Sequence, residues 1–305
     1  MAYTTEFNRN VTEDRNPRTM DLDVLDTVNL VRKVQEEDLE IAGVVQQCVP
    51  EIARAVDLIV QALRAGGRLI YFGAGTSGRL GVLDASECPP TFGIDAGKIQ
   101  AYIAGGKEAM FHAFENAEDN KDAGIADATA AGITDGDVVV GITASGRTPY
   151  VIGACDRARE CGAKIIAVVN NHDTELARMA DVTIAAVVGP EALSGSTRMK
   201  AGTAQKMILN LLSTCTMVRL GKVYENLMVD LKPTNYKLRE RAVSIISTIS
   251  GVPRHVAEGA LVASHDSAKT AILMVKRKLG RAQAEALLAR CEGSLRRALE
   301  SAPVS

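Results

Sequence analysis

Five short apolar runs mark the middle of the chain: Leu69–Phe72, Ile99–Ile103, Val138–Thr143, Ile165–Asn170 and Val182–Val187. Each run is continuously apolar, the pattern of a strand buried on both faces of a parallel sheet. The stretches between them have helical spacing, so the alternation predicts an α/β fold, a three-layer sandwich around a five-stranded parallel sheet. Ahead of the sheet, Val28, Val31 and Val34, then Ile52, Ala55, Val56, Ile59 and Leu63, recur at helical spacing. They predict two helices between Val24 and Ala65, broken near Gly43 or Pro50. A long helix is expected from beyond Ser196 to about Leu220. From Tyr236 to Leu299 the pattern is helical throughout, interrupted at Gly251-Val-Pro253, Gly280 and Gly293. Met1–Thr19 is polar, contains Asn16-Pro17 and reads as an arm with no core of its own. The expected organisation is an arm over 1–20, an α/β domain over 21–235 and a small C-terminal helical module over 236–305.

The first strand leads into Gly73-Ala-Gly75-Thr76-Ser77-Gly78, and Arg79–Ser86 has helical character. Strand, glycine turn and helix start bring backbone N–H groups and the positive end of a helix dipole together, which makes an anion site. Pro89-Pro90 is expected to stop this helix and leave Glu87 in its last turn. The glycine spacing also fits the dinucleotide fingerprint. The next strand, however, ends in Ala104-Gly-Gly with no carboxylate to hold a ribose. Thr76 and Ser77 suit a compact phosphate monoester instead. The plain alternative is a tight turn with no ligand.

Two further loops resemble the first. Thr143 runs into Ala144-Ser145-Gly146-Arg147-Thr148-Pro149, where Pro149 suits a first helical turn and Ser145 is expected to cap it. Ser194-Gly195-Ser196-Thr197 opens the long helix. N-capping alone explains any one such loop. Three at the carboxyl edge of one parallel sheet point to a ligand, and the absence of Gly-Lys-Ser or Gly-Lys-Thr favours a sugar phosphate over a nucleoside triphosphate.

Carboxylates are the candidates for chemistry. A helix is expected over Ala109–Lys121, with Met110, Phe111, Phe114 and Ala117 as its apolar stripe. Glu118 then lies roughly 40° from Phe114 at 100° per residue. A carboxylate at the border of a buried stripe loses hydration and gains basicity. A half-exposed glutamate with a basic partner is the competing reading. Glu87, near a negative helix end, is pushed toward its protonated form. The two would make an acid–base pair with roles set by environment.

Composition narrows the field. In 305 residues, 35 Lys and Arg face 37 Asp and Glu, a net charge of −2 that makes no case for nucleic acid or a membrane surface. Trp is absent and aromatics are 4%, too few for a base-stacking platform. His112, His172, His255 and His265 lack metal-ligand spacing, and the six cysteines form no C-x-x-C pair. The Met207–Leu220 run carries Asn210, Ser213 and Thr214 and is too short to span a bilayer. The expectation is a soluble cytoplasmic protein without metal or cofactor.

Several segments together resemble one family. They are Leu69-Ile-Tyr-Phe-Gly-Ala-Gly-Thr-Ser-Gly-Arg-Leu80, Asp84-Ala-Ser-Glu-Cys-Pro-Pro90, Ala117-Glu-Asp119, Ala144-Ser-Gly-Arg-Thr-Pro149 and Ser194 through Lys206, with Thr12-Glu13, Arg15-Asn-Pro17 and Asn226-Leu-Met-Val-Asp230. Across nearly the full length the chain resembles the N-acetylmuramic acid 6-phosphate etherases, whose sugar isomerase (SIS) domain is flavodoxin-like and similar to the glucokinase regulatory protein. The resemblance implies cleavage of a D-lactyl ether with water, giving N-acetylglucosamine 6-phosphate and D-lactate in cell-wall amino-sugar recycling. It implies Glu87 as catalytic acid, Glu118 as second catalytic residue, and no cofactor. The expected substrate-binding set is Gly75, Thr76, Ser77, Ser145, Gly146, Arg147, Thr148, Ser194 and Ser196. A homodimer is implied as well, with Glu13–Arg18 of the arm expected to pack on the neighbouring subunit. An aldose–ketose isomerase and a non-catalytic sugar-phosphate-binding regulator are the rival readings.

Overall fold

The computed structural model describes residues 10–114, 116–233 and 235–302. Two compact units divide the chain: residues up to Ser86 with Gly97–Ser213, and Glu87–Ala96 with the chain from Thr214 onward.

In the first unit, helices α1 (Thr27–Asp38), α2 (Ile41–Gln47) and α3 (Val49–Arg64) precede β1 (Leu69–Gly73). Then follow α4 (Gly75–Phe92), β2 (Ile99–Ile103), α5 (Lys121–Ala130), β3 (Val138–Thr143), α6 (Pro149–Glu160), β4 (Lys164–Val169), α7 (Glu175–Met179), β5 (Val182–Ala185) and α8 (Lys200–Arg219), of which α4 from Glu87 and α8 from Thr214 belong to the second unit. The five strands pair in the order β2-β1-β3-β4-β5, all parallel, with Leu69 opposite both Ile99 and Val138. Both faces are covered, as the continuous apolar runs require. Ile70, Phe72, Val139, Ile165 and Ala167 pack with Ala128 of α5, Tyr150 and Cys155 of α6 and Leu176 of α7. On the opposite face the Tyr71 hydroxyl donates to Asp84 of α4 at 2.9 Å, and Ser213 of α8 donates to the other Asp84 oxygen at 2.8 Å.

The strand order reverses direction between β1 and β3. The chain leaves β1 through α4 toward one edge and leaves β3 through α6 toward the other. Helices after neighbouring strands therefore diverge to opposite faces and leave a crevice between their N-termini, where such sheets bind ligands.

Three local expectations need correction. Three helices, not two, lie between Val24 and Ala65; the chain breaks around Leu39-Glu40 and at Cys48, while Pro50 sits in the first turn of α3, where its missing N–H costs nothing. In α1, Val28 and Val31 are exposed and Glu37 is buried, because its carboxylate has buried partners. Pro89-Pro90 does not stop α4, which runs on to Phe92. The two prolines remove ladder donors, but the Gly93 N–H closes a further turn on Pro89 O at 2.9 Å.

The arm is also not free. Thr12, Asn16 and Thr19 are buried, and Thr19 Oγ1 donates to Ala192 O at 2.8 Å. Residues 10–19 thus pack on their own chain, where an arm with no core of its own was expected.

Among its described residues the second unit carries a two-strand hairpin, β6 (Val223–Tyr224) and β7 (Leu227–Met228), and five helices: α9 (Tyr236–Ser250), α10 (Arg254–Ala263), α11 (Ala268–Arg277), α12 (Arg281–Arg290) and α13 (Leu295–Glu300). Val243, Ile246, Leu261, Ile272 and Leu287 form its core. Gly251, at φ +70°, ends α9. A break between α10 and α11 has no glycine; His265 and Asp266 take positive φ there, and Ser267 caps α11 through the Thr270 N–H.

Candidate active site

A cavity of about 660 Å³ opens at the carboxyl edge of the sheet in the first unit. Its walls come from the turn after β1 (Ala74–Ser77), the loop after β3 (Ile142–Ala144, Ser145, Arg147–Pro149), Glu118 and Asp119, Gly195 and Thr197, and the arm (Asn10, Thr12, Glu13).

The turn after β1 is built by two interlocked glycines. A Cβ on Gly73 would lie 2.6 Å from Gly78 N, and one on Gly78 would lie 2.7 Å from Gly73 O and 2.6 Å from the Ile103 side chain. Gly75, at φ +51°, then starts α4 at once, so Thr76 and Ser77 occupy its first turn, whose N–H groups have no partners within the helix. The Ser77 hydroxyl has a fixed partner, donating to Gln205 Oε1 at 2.8 Å. Gln205 Nε2 in turn donates to Asn170 Oδ1 at 2.9 Å.

The loop after β3 is organised by a residue the sequence reading passed over. Thr143 is buried, with its Oγ1 2.6 Å from Thr148 Oγ1 and 3.3 Å from Ser145 Oγ. Ser145 accepts from Arg147 N at 3.3 Å and does not cap α6; the N-cap is Thr148, without a side-chain cap bond. Gly146 takes φ +68°, and a Cβ there would run into the Thr174 side chain.

The carboxylates stand differently from expectation. No helix covers the described residues between Ala109 and Lys121: a single 3-10 turn over Lys107–Met110 ends there, and α5 begins at Lys121 with Asn120 as N-cap. Phe111 and Phe114 are 84% and 50% exposed, so the stripe that was to bury Glu118 does not form. Glu118 is exposed and belongs to the cavity wall for another reason. Pro149 has no N–H, and the next donor of α6, Tyr150 N, bonds Glu118 O at 3.0 Å. That backbone bond fixes residue 118 beside the loop after β3. Glu87 is exposed in the body of α4, more than a turn from the helix end, so the dipole argument for it loses its premise. It is not among the residues lining this cavity.

The third loop contributes less than expected. Glu191, fully buried, accepts from Lys200 N and Ala201 N at 2.8 and 2.9 Å; burial outweighs these donors and raises its carboxyl above the ordinary range. The start of α8 is therefore occupied by the protein's own carboxyl group. Ser194 donates to Asp14 O at 3.3 Å. Neither Ser194 nor Ser196 lines the cavity, nor does Gly146, whereas Gly195 and Thr197 do. Among the described residues, no group of three or more His, Cys, Asp or Glu side chains is placed to hold a metal ion.

Comparison with known proteins places this geometry. Residues 51–159 match the N-terminal SIS domain of glucokinase regulatory protein, 107–214 the SIS domain and 225–279 the C-terminal lid domain of glucokinase regulatory protein. The N-acetylmuramic acid 6-phosphate etherase 2 of Vibrio cholerae serotype O1 is 53% identical over 95% of this chain and 94% of its own length. The chain belongs to the N-acetylmuramic acid 6-phosphate etherase family. The etherase of Salmonella enteritidis PT4 is also 53% identical, over 95% of this chain and 98% of its own. A candidate phosphosugar isomerase involved in capsule formation from Bacteroides fragilis NCTC 9343 has the same fold, with a TM-score of 0.50 at 21% identity over 65% of this chain and 94% of that one. Among the described residues of this etherase-family chain, no helix is long and apolar enough to cross a membrane.

Proposed function

We propose that the chain is a carbon–oxygen lyase that cleaves the D-lactyl ether of N-acetylmuramic acid 6-phosphate, yielding N-acetylglucosamine 6-phosphate and D-lactate. The observation that carries this reading is 53% identity over 95% of the chain to etherases of that name. The cavity supports it, because the first turn of α4, the hydroxyls after β3, Glu118 and Asp119 all line it.

The chemistry asks for little else. In the open-chain aldose the ether at C3 lies β to the aldehyde. A base takes the C2 proton, the resulting enolate expels lactate from C3 as an acid protonates the ether oxygen, and water adds back, its hydroxyl to C3 and its proton to C2. Binding energy from the distant phosphate holds the reacting end in place. Glu118 is the proposed base and Glu87 the proposed acid. Gly75, Thr76, Ser145 and Thr148 are proposed to hold the phosphate, with Ser77 contributing its backbone. The protein is read as a cytoplasmic homodimer acting in amino-sugar recycling.

The test is incubation of the purified protein with N-acetylmuramic acid 6-phosphate. One D-lactate is expected per N-acetylglucosamine 6-phosphate formed. Interconversion of aldose and ketose phosphates without lactate would replace this reading with the isomerase.

A further inference from the structure

The arm supplies three polar side chains to the cavity, and none is used up by the fold. Asn10 and Thr12 are buried, at 6% and 1% exposure, yet both line the cavity beside Glu13. Thr12 is oriented from behind: Asn171 Nδ2 donates to Thr12 Oγ1 at 3.1 Å and to Ala144 O at 2.9 Å. Because Thr12 Oγ1 accepts that bond, its own proton stays available for a further acceptor. The Glu13 carboxylate makes no hydrogen bond or ion pair among the described residues; only its backbone N–H is engaged, donating to Asn10 O at 2.9 Å. Its Oε2 lies over Gly195, where a Cβ would come within 3.3 Å of it. Asn16 donates to Glu37 at 2.7 Å, which pins the chain just beyond.

We propose that Asn10, Thr12 and Glu13 form a substrate-binding wall that takes the neutral part of the amino sugar, its hydroxyls and acetamido N–H. This rests on the etherase reading of the same cavity. The assignment follows from charge. An unpaired carboxylate accepts from O–H and N–H donors and repels anions, so this wall faces neither the phosphate nor the lactyl carboxylate. A hydroxyl and an amide beside it complete a set able to both donate to and accept from a polyol. Oriented side chains at a half-buried wall cost little further ordering when the sugar binds.

The test compares Glu13→Leu and Thr12→Val with the wild type in three readouts: KM for N-acetylmuramic acid 6-phosphate, inhibition by N-acetylglucosamine 6-phosphate and inhibition by inorganic phosphate. Each variant is expected to weaken both sugar phosphates by about 10- to 100-fold, the worth of a hydrogen bond to a charged or buried group, with inhibition by inorganic phosphate retained. Thr12→Ser keeps the hydroxyl and is expected to restore affinity. Unchanged sugar-phosphate constants would overturn the proposal. So would equal weakening of inorganic phosphate, which would mean that the turn only shapes the cavity. If the wild type released no lactate, the etherase reading would fail, while calorimetric binding of N-acetylglucosamine 6-phosphate to the same variants would still decide on the wall.

Discussion

The Lys200 ammonium, 1% exposed, donates to Glu37 Oε2 at 2.9 Å across 163 positions of sequence. The same carboxylate receives Asn16 at 2.7 Å and Arg18 at 2.9 Å. One buried anion thus joins the arm, the end of α1 and the start of α8. Removing Lys200 leaves this buried carboxylate with Asn16 and the half-exposed Arg18 as its partners. Lys200→Met is therefore expected to lower unfolding free energy by about 1–3 kcal/mol, measured by urea denaturation. The double variant Lys200→Met/Glu37→Leu should lose less than the sum of the singles.

The same carboxylate predicts a pH dependence. Burial pushes Glu37 up, but the bonds from Arg18, Lys200 and Asn16 outweigh it and hold the group at about 2, against an ordinary 4.5. A depressed acid contributes stability in full above its unfolded value and loses it as pH falls through its folded value. Denaturation midpoints of the wild type should drop between about pH 5 and pH 2, and those of Glu37→Gln should drop less over that window. Parallel profiles would refute the assignment.

Ser145 and Ser77 should separate under alanine substitution. Ser145 has only weak partners at 3.3 Å, so Ser145→Ala should weaken substrate binding by about 1–3 kcal/mol with stability retained. The Ser77 hydroxyl sits in the buried chain to Gln205 and Asn170, so Ser77→Ala should lower the melting temperature as well. Turnover of unphosphorylated N-acetylmuramic acid as efficient as that of its 6-phosphate would remove the phosphate cradle from the account.

The two glutamates can be told apart by the order of bond changes. With Glu118 as base, Glu118→Gln abolishes both lactate release and exchange of the C2 proton with heavy water. With Glu87 as acid, Glu87→Gln cuts lactate release by roughly 10²–10⁴-fold, the usual worth of a general acid. Exchange at C2 in recovered substrate then persists. The reverse pattern would swap the roles.

The parts legible in the sequence were those written in one local pattern. Val138–Thr143 and Ile99–Ile103 appear as strands with the expected ends, because short, mostly apolar runs between turns admit few other structures. The glycine turn was legible for the same reason. What escaped depended on distant partners. The Phe111 and Phe114 spacing suggested a helix, but Gly105-Gly106 and the backbone bond from Tyr150 hold that stretch as a loop. A polar arm read as coreless because its partners, Glu37, Asn171 and Ala192, lie far along the chain. Glu191, standing in front of α8, carries no local signal that it would close the third loop to a phosphate.

Gly73 and Gly78 each fill the space the other's side chain would need. Replacing either one alone drives a methyl into backbone, and replacing both makes two collisions where there was one. No compensating pair exists at these two positions, so the turn has no neutral neighbours in sequence space and no stepwise path out of its present form. Descendants of this chain can remodel the arm, the tail or the reacting carboxylates and acquire new chemistry. The turn proposed to hold the phosphate would be inherited unaltered.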